Sequence, residues 1–441
     1  MKASDNYFSQ AASSVLTSLI GCLFIPAEIK NKIKGSMPKK PSDFVPVLRF
    51  AVCSDIHLDG NDKQDAAVRL RELFSDMYSY SSLSPYKSFD ALLVAGDFTS
   101  GGAEEEYQIF NKIVSESIKE ETVLLTVLGN HEFINYRDDD ATVGYKVYKK
   151  YISEQVDTDT VINGYHFIGV SYDDNGKTFK GKIDWLKERI DNAVSEAPSK
   201  PVFVFQHPHP FATVYGSINW GDSDLRKLLS KYPQVVDFSG HSHYAPSDPR
   251  SVWQGEFTAV GCGSLAAFMG NLNYIEGDKD APGRSGGFRL CEVDKDGNLC
   301  MMLYDSEKRM FFPDSVYYFT DIADSSKRAY SWFRQKAADT APLFSGSANI
   351  STEINENGES VISFPDAKGY YSAENYKISV KDKNGRCVFA KTVISDYVRA
   401  DKNDVIVNIG KLEKGEYKIK ISAFSPYAKK GGVLEKNFRI D

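Results

Sequence analysis

Between Leu48 and Val260 the chain alternates short apolar runs with amphipathic stretches, and this alternation restricts the fold more than any other feature. The runs are Leu48–Cys53, Ala91–Ala95, Val123–Leu128, Phe167–Val170, Val202–Phe205, Val235–Phe238 and Phe257–Val260. They are β-branched or aromatic and mostly stop at Gly, Ser, Asn, Asp or His, as strands do. Ala66–Tyr80, Glu104–Ile118 and Ile183–Val194 instead space apolar residues at three- and four-residue steps, the mark of helices with one buried face. Strand–helix alternation predicts an α/β or layered α+β domain with helices packed over the sheet. Phe288–Val293 and Leu299–Tyr304 read as a closing hairpin around Asp296-Gly297.

A chain of 441 residues exceeds one ordinary core and calls for further domains. Residues 311–340, with Trp332-Phe333 in a polar frame, read as a linker or bracing helix. After Pro342 the texture changes to short alternating runs separated by turn signals, among them Asn357-Gly358, Asn384-Gly385, Lys414-Gly415 and Gly431-Gly432. The runs are Ala348–Glu353, Ser360–Phe364, Tyr376–Val380, Val388–Ile394, Asp404–Ile409, Glu416–Phe424 and Val433–Ile440. That pattern predicts an antiparallel β-sandwich over 341–441. The expected organisation is therefore an N-terminal segment 1–46, a layered domain 47–310, a connector 311–340 and the sandwich.

Asn6–Ala27 carries no charge and resembles a signal or anchor segment, and Leu19-Ile20-Gly21-Cys22 resembles a lipoprotein cleavage box. Against this, Asp5 offsets Lys2 and no A-x-A site follows, so an amphipathic or packed helix stays open beside it. Envelope association through this segment is the slightly favoured expectation over a cytoplasmic one. Residues 47–340 hold 31 basic against 44 acidic residues, a net −13. Such a balance disfavours a nucleic-acid polymer as partner and suits carboxylates that bind cations. The six cysteines form no CxxC pair, which excludes a zinc ribbon or thioredoxin-type site. Cys291 and Cys300 flank the hairpin and could pair across it, with free buried thiols as the alternative.

The chemistry gathers on histidines. Six of the seven sit with other ligand-type residues just after a predicted strand. The clusters are Asp55-Ile56-His57, Gly96-Asp97, Gly129-Asn130-His131-Glu132, His207-Pro208-His209 and Gly240-His241-Ser242-His243. Open α/β sheets build sites at the C-terminal ends of their strands. In an extended segment residues i and i+2 point one way, so Asp55 with His57, and His241 with His243, can each reach one centre. Asp97 has two oxygens and can bridge two cations, and Asn130 adds a neutral carbonyl oxygen. Imidazole with carboxylate suits Zn, Mn, Fe, Ni or Co ahead of Ca or Mg. Each cluster alone is commonly a polar turn, but five in order are a joint signal.

The series D-x-H, G-D, G-N-H-E, H and G-H-x-H resembles the signature of the calcineurin-like metallophosphoesterases over about 47–305. The resemblance implies a four-layer α/β/β/α sandwich around a dinuclear centre of two divalent transition-metal ions. It places Asp55, His57, Asp97 and His243 on one metal and Asp97, Asn130, His207 and His241 on the other, with Asp97 bridging. It further implies attack on phosphorus by a hydroxide held between the metals. His131 is the candidate general acid for the leaving oxygen, and the resemblance has Asp55 orient it. His209 reads as a loop brace between Pro208 and Pro210, and His166 as structural. Within the sandwich, Gly415–Ala423 resembles the penultimate strand of fibronectin type III modules.

Purple acid phosphatases have Tyr three residues after the bridging Asp, where this chain has Ser100. The layout is closer to the cyclic-nucleotide and glycerophosphodiester branch, which also includes monoesterases. The expected substrate is a small phosphoester, and Tyr136, Arg137 and Tyr172–Asn175 are the substrate-side candidates. The rival reading is a non-catalytic binding or scaffold protein acting through its C-terminal sandwich. Degenerate members lose ligands, whereas here all seven ligand positions are filled.

Overall fold

All seven apolar runs of residues 48–260 form strands. The computed structural model describes residues 40–136, 142–173, 176–268, 285–395, 400 and 404–441. The N-terminal anchor reading, Arg137 and Asn175 thus lie outside the described residues. Two compact units emerge, one ending at Arg334 and one running from Gln335 to Asp441.

The first unit runs β1 (Pro46–Cys53), α1 (Asp65–Leu83), β2 (Ala91–Ala95), α2 (Glu104–Ser117), β3 (Val123–Val127) and α3 (Thr142–Tyr151). It continues with β4 (Thr158–Ile162), β5 (Tyr165–Gly169), α4 (Ile183–Glu196), β6 (Val202–Phe205), β7 (His209–Pro210), α5 (Ser217–Trp220), β8 (Gly221–Asp222), α6 (Ser223–Leu229) and β9 (Val235–Ser239). β10 (Val252–Gln254), β11 (Thr258–Gly261), β12 (Gly287–Asp294), β13 (Leu299–Asp305), β14 (Met310–Phe319) and α7 (Trp332–Ala338) follow, with α7 reaching across the division between the units.

The strands form two six-stranded sheets in the orders β14-β13-β12-β1-β2-β3 and β10-β11-β9-β6-β5-β4. β1, β2 and β3 are parallel neighbours, as are β5, β6, β9 and β11. Parallel strands need long crossovers, and helices α1, α2, α4 and α6 supply them. The sheets meet on aromatic rings: Phe50 of β1 lies 5.0, 4.8 and 6.0 Å from Phe167, Phe203 and Phe238 of the facing sheet. With helices on the outer faces, the result is the four-layer α/β/β/α sandwich. β2 is buried along its whole length, which is why its sequence is one continuous apolar run.

One expectation needs correction, and the alternative left open for the cysteines is decided. Residues 311–340 are not a connector throughout, because Met310–Phe319 pairs with β13 as an edge strand of the first sheet. Pro313-Asp314 interrupts the apolar pattern there, and an edge strand accommodates a proline that a central strand would not. Cys291 and Cys300 are free. Cys291 opposes Met301 while Cys300 opposes Glu292, and that offset of one residue turns the two side chains to opposite faces.

The second unit contains β15 (Ser351–Ile354), β16 (Ser360–Phe364), β17 (Asn375–Asp382), β18 (Cys387–Ile394), β19 (Val405–Gly410), β20 (Gly415–Phe424) and β21 (Lys430–Ile440). They pair antiparallel in the orders β15-β16-β19 and β18-β17-β20-β21. Ile362, Phe364, Tyr376, Ile378, Ile419 and Ile421 from the two sheets share one core, making a β-sandwich. No helix among the described residues is long and apolar enough to cross a membrane.

Candidate metal centre

Each cluster begins one to three residues beyond a strand: Asp55 after β1, Asp97 after β2, Asn130 after β3, His207 after β6 and His241 after β9. The backbone there is not extended. Asp55, His57, Asp97, His241 and His243 take φ of 54, 50, 52, 68 and 53°, the left-handed region that L-residues rarely occupy. Such strain persists where surrounding structure over-determines it and concentrates at functional sites. It also corrects the i, i+2 argument, since His241 and His243 do not share a centre. The side chains sort into three overlapping groups: Asp55, His57 and His243; Asp97, His207 and His241; and His57, Asp97 and His131.

Packing around the carboxylates leaves no room for side chains at the glycines. A Cβ on Gly129 would lie 2.1 Å from Asp97 Oδ1, and one on Gly240 would lie 1.8 Å from Ser54 Oγ and 2.3 Å from Asp55 Oδ2. Asp55 Oδ2 accepts from the His241 amide at 2.9 Å, and Asp97 Oδ1 accepts from the His131 amide at 2.8 Å. The other oxygen of each carboxylate faces imidazole nitrogen, with Asp55 Oδ1 2.9 Å from His243 Nε2 and Asp97 Oδ2 2.9 Å from His207 Nε2. Burial opposes ionisation of both, yet the histidines around them hold both pKa values below the usual carboxylate range.

The histidine nitrogens converge on one another. His57 Nε2 lies 3.0 Å from His243 Nε2, and His207 Nε2 lies 3.1 Å from His241 Nδ1. His207 donates its Nδ1–H to the Ala95 carbonyl at 2.9 Å, which leaves Nε2 as the lone-pair atom aimed at Asp97. Two acceptors at that distance need positive charge between them, a proton or a cation. Burial lowers the His207 pKa, but Asp97 and Asp55 outweigh it and hold it up at about 9. Among the described residues, Asn130 Oδ1 is buried with no hydrogen-bond partner. Two nitrogens each ~2.1 Å from one cation stand about 3 Å apart, so these spacings fit transition-metal ligands. Orphaned oxygen, facing lone pairs and paired carboxylates together fit two such ions.

His131, at the start of a 3₁₀ turn (His131–Tyr136), donates Nδ1–H to the Ser100 carbonyl at 2.8 Å and keeps a third of its side chain exposed. Its ring lies 4.4 Å from that of His57. Burial, the leading cause, lowers its pKa. Ser100 and Asp97 are therefore its partners, and the expectation that Asp55 orients it is not met, since Asp55 is occupied by His241 and His243. Ser100 Oγ also donates to the His57 carbonyl at 2.7 Å, so the residue at the purple acid phosphatase tyrosine position ties two loops together here.

Glu132 was legible as part of the motif, but its role was not. It is fully buried, and its carboxylate accepts from the amides of Asp97, Thr99 and Gly129 and from the Thr99 hydroxyl at 2.7–3.0 Å. Burial and then Asp97 push its pKa up to about 7, against four donors that favour the charged form. His209 bonds Ser239 and Ser242 hydroxyls, both at 2.8 Å, and thereby locks the His207 loop to the His241 loop. Burial drives its pKa down to about 3, consistent with a neutral brace. His166 pairs with Asp159 and Glu196, far from these clusters in the fold, as a structural residue.

Of the substrate-side candidates, Tyr136 donates its hydroxyl to the Gly102 carbonyl at 2.8 Å, and Tyr172 is buried against Phe179 with its ring 6.2 Å from His207. Trp220, a single aromatic in the polar stretch Gly216–Asp224 with no motif to mark it, lies 6.2 Å from the His241 ring.

Residues 48–245 match the family model for the calcineurin-like phosphoesterases. No curated protein matches the chain. Among solved structures, purple acid phosphatase PPD1 from yellow lupin (Lupinus luteus) seeds is similar at 16% identity and TM-score 0.45, over 65% of this chain and 56% of its own. Chitinase ChiA74 from Bacillus thuringiensis is similar at 13% identity and TM-score 0.19, over 87% of this chain and 63% of its own.

Proposed function

We propose, from the premise that residues 48–245 are a calcineurin-like phosphoesterase domain and the chain a metal-dependent phosphoric ester hydrolase, that it cleaves a small phosphodiester ahead of a monoester. Asp55, His57, Asp97 and His243 would hold one divalent transition-metal ion, and Asp97, Asn130, His207 and His241 would hold the second. The observation that carries this reading is the set of inward-facing lone pairs, with His57 and His243 nitrogens 3.0 Å apart and Asn130 Oδ1 buried without a partner among the described residues.

When bound, the two ions supply Lewis acidity toward the phosphoryl oxygens and lower the pKa of a water that attacks phosphorus. The chain's residues do the rest. Ser100 fixes the His131 tautomer by taking Nδ1–H, so the proton exchanged with substrate sits on Nε2. His131 Nε2–H, on the imidazolium, donates to the departing alkoxide, which leaves as the neutral alcohol. Glu132 holds the Asp97, Thr99 and Gly129 amides, and so fixes the loops after β2 and β3 relative to each other. His209 does the same for the loops after β6 and β9. The preference for a diester rests on Ser100 and on the first motif ending in His57. The strand order of the C-terminal unit suits a fibronectin type III-like module in a structural role.

The test is hydrolysis of bis(p-nitrophenyl) phosphate and p-nitrophenyl phosphate by metal-stripped protein with Mn²⁺, Ni²⁺, Co²⁺, Fe²⁺ or Zn²⁺ restored. We expect metal-dependent turnover, faster on the diester, that is lost in Asp97→Ala and His131→Ala. Metal binding without turnover of either ester would overturn the proposed reaction and leave a metal-binding scaffold.

A further inference from the structure

We propose that Trp220 is a specificity-determining residue of this site, and that its indole forms a wall selecting phosphoesters whose alcohol carries a planar ring, of the aryl or nucleoside class. The inference rests on the hydrolase reading above and goes beyond it by naming the substrate class.

Trp220 ends the short helix α5 and keeps 39% of its surface exposed. A large exposed aromatic is unremarkable when it stands alone. This one stands edge-to-face with His241, at 89° between ring planes, and so borders a proposed metal ligand. It is also held in place. Tyr244 packs 5.7 Å behind it, Tyr215 stacks on Tyr244 at 4.2 Å, and the Arg250 guanidinium lies 4.3 Å over Tyr215. Arg250 is in turn gripped by both oxygens of Asp248, at 2.8 and 2.5 Å.

The backbone adds to this rigidity. Gly216 has φ +92°, and a Cβ there would lie 2.8 Å from both Ser242 and Tyr244 atoms, so the α5 loop packs directly on the loop carrying His241. A Cβ on Gly221 would meet the Ser217 carbonyl at 2.2 Å, which fixes the turn just after the indole. An aromatic face that is ordered before the ligand arrives costs little entropy to use. A ring stacked on such a face gains affinity whatever its hydrogen-bonding edges, because every base has a π-face. His131, by contrast, belongs to the group on the His57 side of Asp97. In an adenosine ester the ribose separates the base from the ester oxygen, so the ring can meet Trp220 while that oxygen takes its proton from His131.

The experiment compares wild type, Trp220→Ala and Trp220→Phe on adenosine 5′-monophosphate against glycerol 3-phosphate, and on the methyl diesters of both, with thermal melts to confirm folding. Trp220→Ala should lower kcat/KM on the adenosine esters about tenfold, mainly through KM, and leave the glycerol esters within about twofold, the scale of one ring stack. Trp220→Phe should keep most of the wild-type preference. In a second arm, adenosine 5′-monophosphate should quench wild-type tryptophan fluorescence more than inorganic phosphate does, and this difference should vanish in Trp220→Phe. Equal losses on adenosine and glycerol esters would overturn the inference. If wild type turns over none of the four esters with any metal, the hydrolase reading fails and quenching alone decides: selective quenching that requires Trp220 supports the wall, and equal quenching in Trp220→Phe overturns it.

Discussion

Replacing Glu132 by Gln changes one oxygen to NH₂ and leaves the volume alone, which isolates the carboxylate's role as a four-way acceptor. In its better orientation the amide oxygen still accepts from Asp97 and Gly129, now 3.0 and 2.7 Å from the carboxylate. The NH₂ then faces the Thr99 amide, a donor against a donor, although the Thr99 hydroxyl can turn to accept. One buried backbone N–H is stranded, at ~1–3 kcal/mol, and the remaining bonds lose their ionic character. Relief of the charge next to Asp97 returns part of this, so a net loss of about 2–4 kcal/mol is expected. At roughly 2–4 °C per kcal/mol for a unit of this size, calorimetry should show melting lowered by about 4–16 °C. Because the Asp97 amide is one of the groups held, metal affinity should fall about tenfold or more in equilibrium dialysis. A variant that melts within about 1 °C of wild type and keeps its metal affinity would refute the view that Glu132 sets the geometry of the β2 and β3 loops.

Four further outcomes follow from the same contacts. Gly240→Ala puts a methyl 2.3 Å from Asp55 Oδ2, so metal affinity and metal-dependent activity should fall together by about tenfold or more, read by dialysis and rate assay. His209→Ala strands the Ser239 hydroxyl in the core, takes one partner from the Ser242 hydroxyl and opens a cavity, and denaturant titration should register about 3–5 kcal/mol. Phe50→Ala removes the ring shared by Phe167, Phe203 and Phe238 and should cost a further ~3–5 kcal/mol by the same measurement. Asp159 and Glu196 outweigh burial and raise the His166 pKa, so its contribution is complete below about pH 6.5 and is lost as pH rises through the folded-state value. Wild type should therefore exceed His166→Asn in melting temperature at pH 6 and lose that margin toward pH 9, by a few tenths of a kcal/mol after screening.

Much of the architecture was readable because buried parallel strands announce themselves. Ala91–Ala95 and Val202–Phe205 are apolar on both faces, and both appear with the bounds their composition suggested. Turn signals, four of them carrying glycine, separated most of the C-terminal runs just as clearly. Met310–Phe319 was harder, because Pro313-Asp314 breaks the alternation in an edge strand whose partner lies outside the segment. Register decided the cysteines, and no composition carries register to one residue. At the centre, residue types and order identified the donors, but the left-handed backbone at Asp55, His57, Asp97, His241 and His243 is invisible where no glycine advertises it. The long-range partners were equally silent: Glu132 reaching Thr99, His209 reaching Ser239, and Ser100 supplanting Asp55 as the group that orients His131.

The central claim is a two-ion centre with Asp97 between the ions. Its most direct test is the metal content of the purified chain after dialysis against excess Mn²⁺ or Zn²⁺, beside Asp97→Ala. The account predicts two equivalents per wild-type chain and loss of both on removing the bridge. Less than one equivalent in wild type, or an undiminished count in Asp97→Ala, would contradict it.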